Sequence, residues 1–73
     1  MNTQKTTHDF PNRTCNSGQS VFDVSDELKT EGLIPQRSML GNRCSLGDIA
    51  PENAVAVVTV RANEVFWIVR MND

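Results

Sequence analysis

The sequence predicts an α+β fold: a disordered, polar N-terminal arm over residues 1–20, then one small domain over residues 21–73 in which a short helix packs on a C-terminal antiparallel β-hairpin or small sheet. Three observations predict it. Residues 54–61 and 65–71 are dominated by β-branched and aromatic side chains, which fit a pleated surface and lose rotamer freedom in a helix. Val21, Val24 and Leu28 recur at helical spacing. Residues 1–20 carry Phe10 as their one sizeable internal apolar residue, too little to offset the entropy of ordering.

The arm has a sharper alternative, a segment that orders along a partner with Phe10 as its anchor. The helix has recognisable ends. Ser20 or Asp23 supplies an N-cap oxygen, and Asp23, Asp26 and Glu27 sit where acidic groups favour a helix N-terminus. Gly32 fits the left-handed position after the last turn, which brings Leu33 to Leu28, and Pro35 forbids continuation. Residues 36–53 are the least legible stretch. Gly41 and Gly47 each follow a bulky apolar residue and read as turns, Pro51 as a turn feeding the first strand, and Met39, Leu40, Leu46 and Ile49 as core contacts under the sheet.

In the hairpin, a two-residue loop Ala62-Asn63 sets Arg61 opposite Glu64, an opposite-charge pair that supports the register. Alternation along the strands then assigns the faces. Val58, Val60, Val65, Trp67 and Val69 are expected inside, against Val21, Val24 and Leu28. Val57, Phe66, Ile68 and Arg70 are expected on the other side, with Arg61 at its margin. A slip of one residue in the turn exchanges the two sets.

Composition limits the chemistry. Seven basic against nine acidic residues give a net charge of −2, with no basic excess to neutralise phosphates, which argues against a dedicated nucleic-acid binder. Four acids, Asp23, Asp26, Glu27 and Glu31, stand against Lys29 in the helical segment and read as a solvated face, in preference to a surface mimicking nucleic acid. The start Met1-Asn2-Thr3-Gln4-Lys5 has no apolar core after its charge and does not read as a secretory signal, and no run reaches the length of a membrane span, so a cytoplasmic protein of a bacterial host is expected.

Candidate chemical groups are few. Cys15 and Cys44 are too sparse for a disulfide framework, and with His8 and Asp9 they lack the paired spacing of a zinc site. His8 falls in the arm, where a general base lacks fixed geometry, and Asp48 and Glu52 flank a proline turn as surface carboxylates. No phosphate-loop spacing is present. The expectation is therefore a non-enzymatic chain without cofactor or metal.

The excess of apolar surface on the hairpin instead points to a protein partner. The reading is a small inhibitor or modulator of the kind frequent among phage and mobile-element proteins, which occludes a repressor, a defence complex or a cell-division component. Its partner-binding residues are expected to be Val57, Arg61, Phe66, Ile68 and Arg70, since aromatic, aliphatic and arginine side chains anchor interfaces. The alternatives are a homodimer or other self-associating subunit, and a winged-helix module with Arg61 at the wing tip.

Overall fold

The computed structural model describes residues 4–71 and shows an α+β fold with one α-helix and a four-stranded mixed sheet. The strands are β1 (Asn12–Thr14), β2 (Ser38–Cys44), β3 (Ala54–Arg61) and β4 (Glu64–Arg70), and the helix is α1 (Val21–Thr30). The sheet order is β1-β3-β4-β2, with β1 parallel to β3 and the other pairings antiparallel. β1 and β2 are thus the edges.

The helix is delimited by its own sequence. Ser20 is the N-cap, its hydroxyl accepting from the Asp23 N–H at 3.1 Å while the Asp23 carboxylate accepts from the Ser20 N–H at 3.0 Å. This reciprocal box satisfies two amides that the first turn leaves without partners. At the other end Gly32 has φ +78, and the Leu33 and Gly32 amides donate to Leu28 O and Lys29 O. That is the paired closure which a left-handed glycine permits. Val24 and Leu28 face inward, fully buried against Ile34, Ala56, Val58 and Ile68.

The hairpin has the expected turn, with Arg61 opposite Glu64, but the register slips immediately beyond it. Thr59 pairs with Val65, Val58 with Phe66 and Val57 with Trp67, leaving Val60 as an extra residue; a second irregularity falls at Val55. No non-glycine residue among those described has positive φ, so Asn63 does not adopt the left-handed conformation that two-residue hairpin loops favour. The turn is therefore not of the type whose twist matches a two-residue hairpin, and the bulge at Val60 supplies the extra local twist.

This corrects the assignment of faces. Val58 lies under the helix as expected, but Ile68 joins it there, and Phe66 shares that face as the residue opposite Val58. Val65, Trp67 and Val57 form a separate cluster on the second face, with Val69 packed against it. Residues opposite one another share a side, so one inserted residue moves the whole of β4 across the sheet.

The second face is covered by the chain itself. Phe10 and Ala50 pack onto the Val57–Val65–Trp67 cluster. Around them the segment 5–10, which includes a 3-10 turn at Thr7–Asp9, is bonded to the loop after β2. The Thr7 amide donates to Asp48 O at 3.2 Å, the Ala50 amide to Lys5 O at 2.8 Å, and the Gly47 amide to Thr7 Oγ1 at 2.6 Å. Thr7 is buried. The structured core thus extends into the segment expected as a polar arm: residues 5–10 cap one face and β1 supplies an edge. Composition hides this because the ordering uses backbone bonds and ion pairs in place of apolar area. Residues 1–3 of that segment lie outside the described residues.

Candidate functional site: the outer edge of β2

β1 and β2 end the sheet differently. β1 has three residues, and its Arg13 reaches over to the helix. There the guanidinium bonds Glu31 through both nitrogens, Nη2 to Oε1 at 2.8 Å, and stands 3.6 Å from Glu27 Oε1. The Glu31 pairing raises the Arg13 pKa above its ordinary value and lowers that of Glu31, the hydrogen bond being the largest cause in each case. Gln19 also donates to Glu27. Much of the acidic face expected as solvated is therefore a clamp on β1.

β2 is longer, at seven residues, and its far side has no strand neighbour. Its start is fixed by Ser38, whose buried hydroxyl donates to Pro35 O at 2.7 Å, and by the Met71 amide donating to Arg37 O at 2.7 Å. Arg43 Nη2 holds the other end by donating to Asn63 O at 2.8 Å. Between them the register shifts across Gly41 and Asn42. A Cβ on Gly41 would lie 3.1 Å from Val69 Cγ1 and 3.2 Å from Trp67 O, so glycine lets β2 approach β4 more closely than a side chain would without displacing them by a few tenths of an ångström.

Beside that bulge is a groove of about 320 Å³, lined by Met39, Gly41, Pro51, Asn53, Trp67 and Val69 among others. Met39 pairs across from Val69 and is 49% exposed. Leu46 and Ile49, on the loop that follows β2, are also exposed, at 55% and 60%. The expectation that Met39, Leu46 and Ile49 are core contacts is thus corrected. They lie in the edge strand and its loop, where Phe10 and Ala50 take the places nearest the sheet; Leu40, opposite Ile68, is half-buried. Gly41 is a bulge residue within a strand and not a turn. A glycine inside an otherwise strand-like run carried that signal.

The five residues expected to bind a partner do not form one surface. Val57 and Ile68 are each 0% exposed and lie on opposite faces of the sheet. Neither is available to a partner in the closed fold: the bulge at Val60 turns Ile68 to the helix side, and Phe10 and Ala50 cover the cluster that holds Val57. Phe66 is half-buried beside Arg43, Arg61 is exposed at the hairpin turn, and Arg70 is exposed at the opposite end of β4, across from Ser38.

Other candidate groups have local structural roles. Asp48 Oδ2 accepts the Ser45 amide at 2.8 Å within its turn. Cys15 and Cys44 are free and pack against clusters on opposite faces of the sheet, so no bridge joins them. Burial, followed by the nearby charges of Asp23 and Glu27, pushes the Cys15 thiol up, and burial followed by Asp48 does the same for Cys44. Among the described residues, no group of three or more His, Cys, Asp or Glu is placed to hold a metal, and no helix is long and apolar enough to cross a membrane. α1 is the only α-helix among them, so the helix pair of a winged-helix reader is not present there. In comparisons with family models, curated proteins and solved structures the chain matches none, and the β2 edge is assigned from its own geometry.

Proposed function

We propose that this chain is a small protein-binding inhibitor or modulator, which acts by occlusion and receives an extended segment of its partner along the outer edge of β2. The observation that carries the reading is the seven-residue edge strand with half-exposed Met39 beside an apolar groove. An unpaired edge offers a row of backbone donors and acceptors, and an added strand takes affinity from main-chain bonds and specificity from alternate side-chain pockets. Trp67, Val69 and Met39 supply the apolar wall of such a pocket, and Asn53 and Asn42 its polar rim.

This relocates the binding residues from the hairpin faces to its flank. The hairpin's excess of apolar surface has an intramolecular use, since α1 covers one face and Phe10, Cys44 and Ala50 pack on the other. Affinity capture from a bacterial lysate, comparing the native chain with Met39→Lys, tests the proposal. Loss of one specific captured protein with an unchanged circular dichroism spectrum supports it. Equal capture by the two chains overturns it, and a monodisperse dimer that Met39→Lys dissolves assigns the edge to a second copy.

A further inference from the structure

We propose that residues 5–14 form a detachable strap that two copies of this chain exchange. All the strap's docking contacts are made to parts of the chain beyond the loop that tethers it. Phe10 meets Trp67 edge-on, Thr7 is bonded into the 47–48 turn, and the backbone of β1 joins β3, with Val57 N donating to Pro11 O and Cys15 N to Thr59 O, each at 2.8 Å. Arg13 is held between Glu27 and Glu31 of the helix. The strap is tied to that helix by the loop 15–20, whose Gly18 has φ +87.

The strap has modest apolar anchorage, with Phe10 as its one large apolar contact on the sheet. Its aromatic anchor is half-buried, its ion pair is partly exposed, and its strand is three residues long. Segments with few buried apolar contacts and exposed backbone bonds open ahead of the global transition, and because these contacts lie on one short run they open together. Opening uncovers Trp67, Val57 and the outer edge of β3. The ligand that fits this surface is already known from the closed fold: an identical strap, with a Phe for the Trp67 ring and an Arg for the Glu27–Glu31 pair. A second copy carries it, and exchange of a terminal element is a low-cost route to a dimer.

Shortening the tether tests this. Removal of Asn16, Ser17 and Gly18 deletes the turn that the Gln19 amide closes on Asn16 O at 3.0 Å, the reversal that brings β1 back beside its own helix, and so disfavours fold-back relative to reaching a neighbour's sheet. The shortened chain is expected to elute as a dimer with Trp67 emission unchanged, and Phe10→Ala in the same chain is expected to return it to a monomer. A folded, monomeric shortened chain overturns the proposal. Should the shortened chain fail to fold, the full-length protein decides. Its Cys15 and Val57 amides are expected to exchange with solvent together, about tenfold or more faster than those of the β3–β4 ladder, and a dimer sensitive to Phe10→Ala but not to Met39→Lys is expected to accumulate at millimolar concentration. Exchange of those amides only with the ladder, or no such dimer, overturns it.

Discussion

The Phe10 ring stands edge-on to Trp67, with centroids 5.8 Å apart and planes at 87°, and so joins the first structured turn of the chain to the middle of its last strand. The pairing directs the positive edge of one ring toward the negative face of the other. Lys5 Nζ lies 5.8 Å from the Phe10 ring centroid, so the same ring meets Trp67 of the sheet and the ammonium at the start of the strap.

Phe10→Ala is expected to cost about 1–2 kcal/mol, less than the loss of a fully buried aromatic because the ring is half-exposed. Ile68→Ala, at 0% exposure in the helix-side cluster, is expected to cost about 2–5 kcal/mol. Urea unfolding followed by Trp67 fluorescence checks both. Only the Phe10 variant should shift native-state emission to the red, since it alone uncovers the indole. An unshifted spectrum would mean that the strap does not shield Trp67.

The clamp on β1 predicts a pH dependence with a definite sign. Glu31 has its pKa held below the ordinary 4.5 by Arg13, so its contribution is present above that value and is lost as pH falls through the lower, folded-state value. Arg13 is raised above its already high ordinary value and stays charged throughout the range, adding no dependence of its own below pH 10. Amide exchange at Cys15 and Val57, whose bonds to Thr59 O and Pro11 O flank the β1–β3 ladder, is expected to accelerate on acidification below about pH 4.5 beyond the trend of the β3–β4 ladder. Glu31→Gln should flatten that excess. Because the pair is solvent-exposed, added salt should weaken it in the same direction.

What the sequence shows and conceals has a physical pattern. α1 is legible because its ends are chemical: Ser20 with Asp23 at the start and Gly32 at the stop are local devices whose spacing survives in the primary structure. The spans of β3 and β4, and the Arg61–Glu64 turn, are legible from residue type and length. The register is not, because Val57, Val58 and Val60 are chemically alike and nothing in such a run marks the residue that bulges. β1 is concealed for the opposite reason. Asn12, Arg13 and Thr14 have no apolar periodicity, and their pairing with β3 is a parallel, long-range contact held by main chain and by Glu31. The β2 edge is half-legible: Gly41 announces irregular backbone but not the strand on either side of it.

The cysteines make a chemical prediction. With Cys15 on the helix side of the sheet and Cys44 on the other, mild oxidation is expected to leave the monomer's mass without the loss of two hydrogens that an intramolecular bridge brings, and reductant should leave the melting temperature unchanged. Both thiols are shifted up by burial and neighbouring carboxylates, so at neutral pH each should react with a disulfide reagent more slowly than a free thiol, its thiolate fraction being smaller. A bridged monomer on mass spectrometry would contradict the placement of the two side chains.

Gly41→Ala separates two opposing effects by sign. At a site with room for a methyl group the change stabilises by about 0.4–1 kcal/mol, because the unfolded chain loses freedom. At Gly41 the added Cβ would stand 3.2 Å from Trp67 O and 3.1 Å from Val69 Cγ1. The valine methyl can yield by rotation, but the carbonyl belongs to the backbone of β4 and moves only if the strands part. Overpacking of this kind costs about 1–3 kcal/mol, so the net change is expected to be a destabilisation of about 1 kcal/mol, read as a lower urea midpoint at unchanged slope. The same separation would reshape the groove between Met39 and Val69, so Gly41→Ala should also weaken partner capture, while Gly18→Ala, strained by its own φ of +87 but outside the groove, should not. A Gly41→Ala chain as stable as the native one would show that the close approach of β2 to β4 at the bulge is slack, and would remove the reason given for glycine at the centre of the proposed edge.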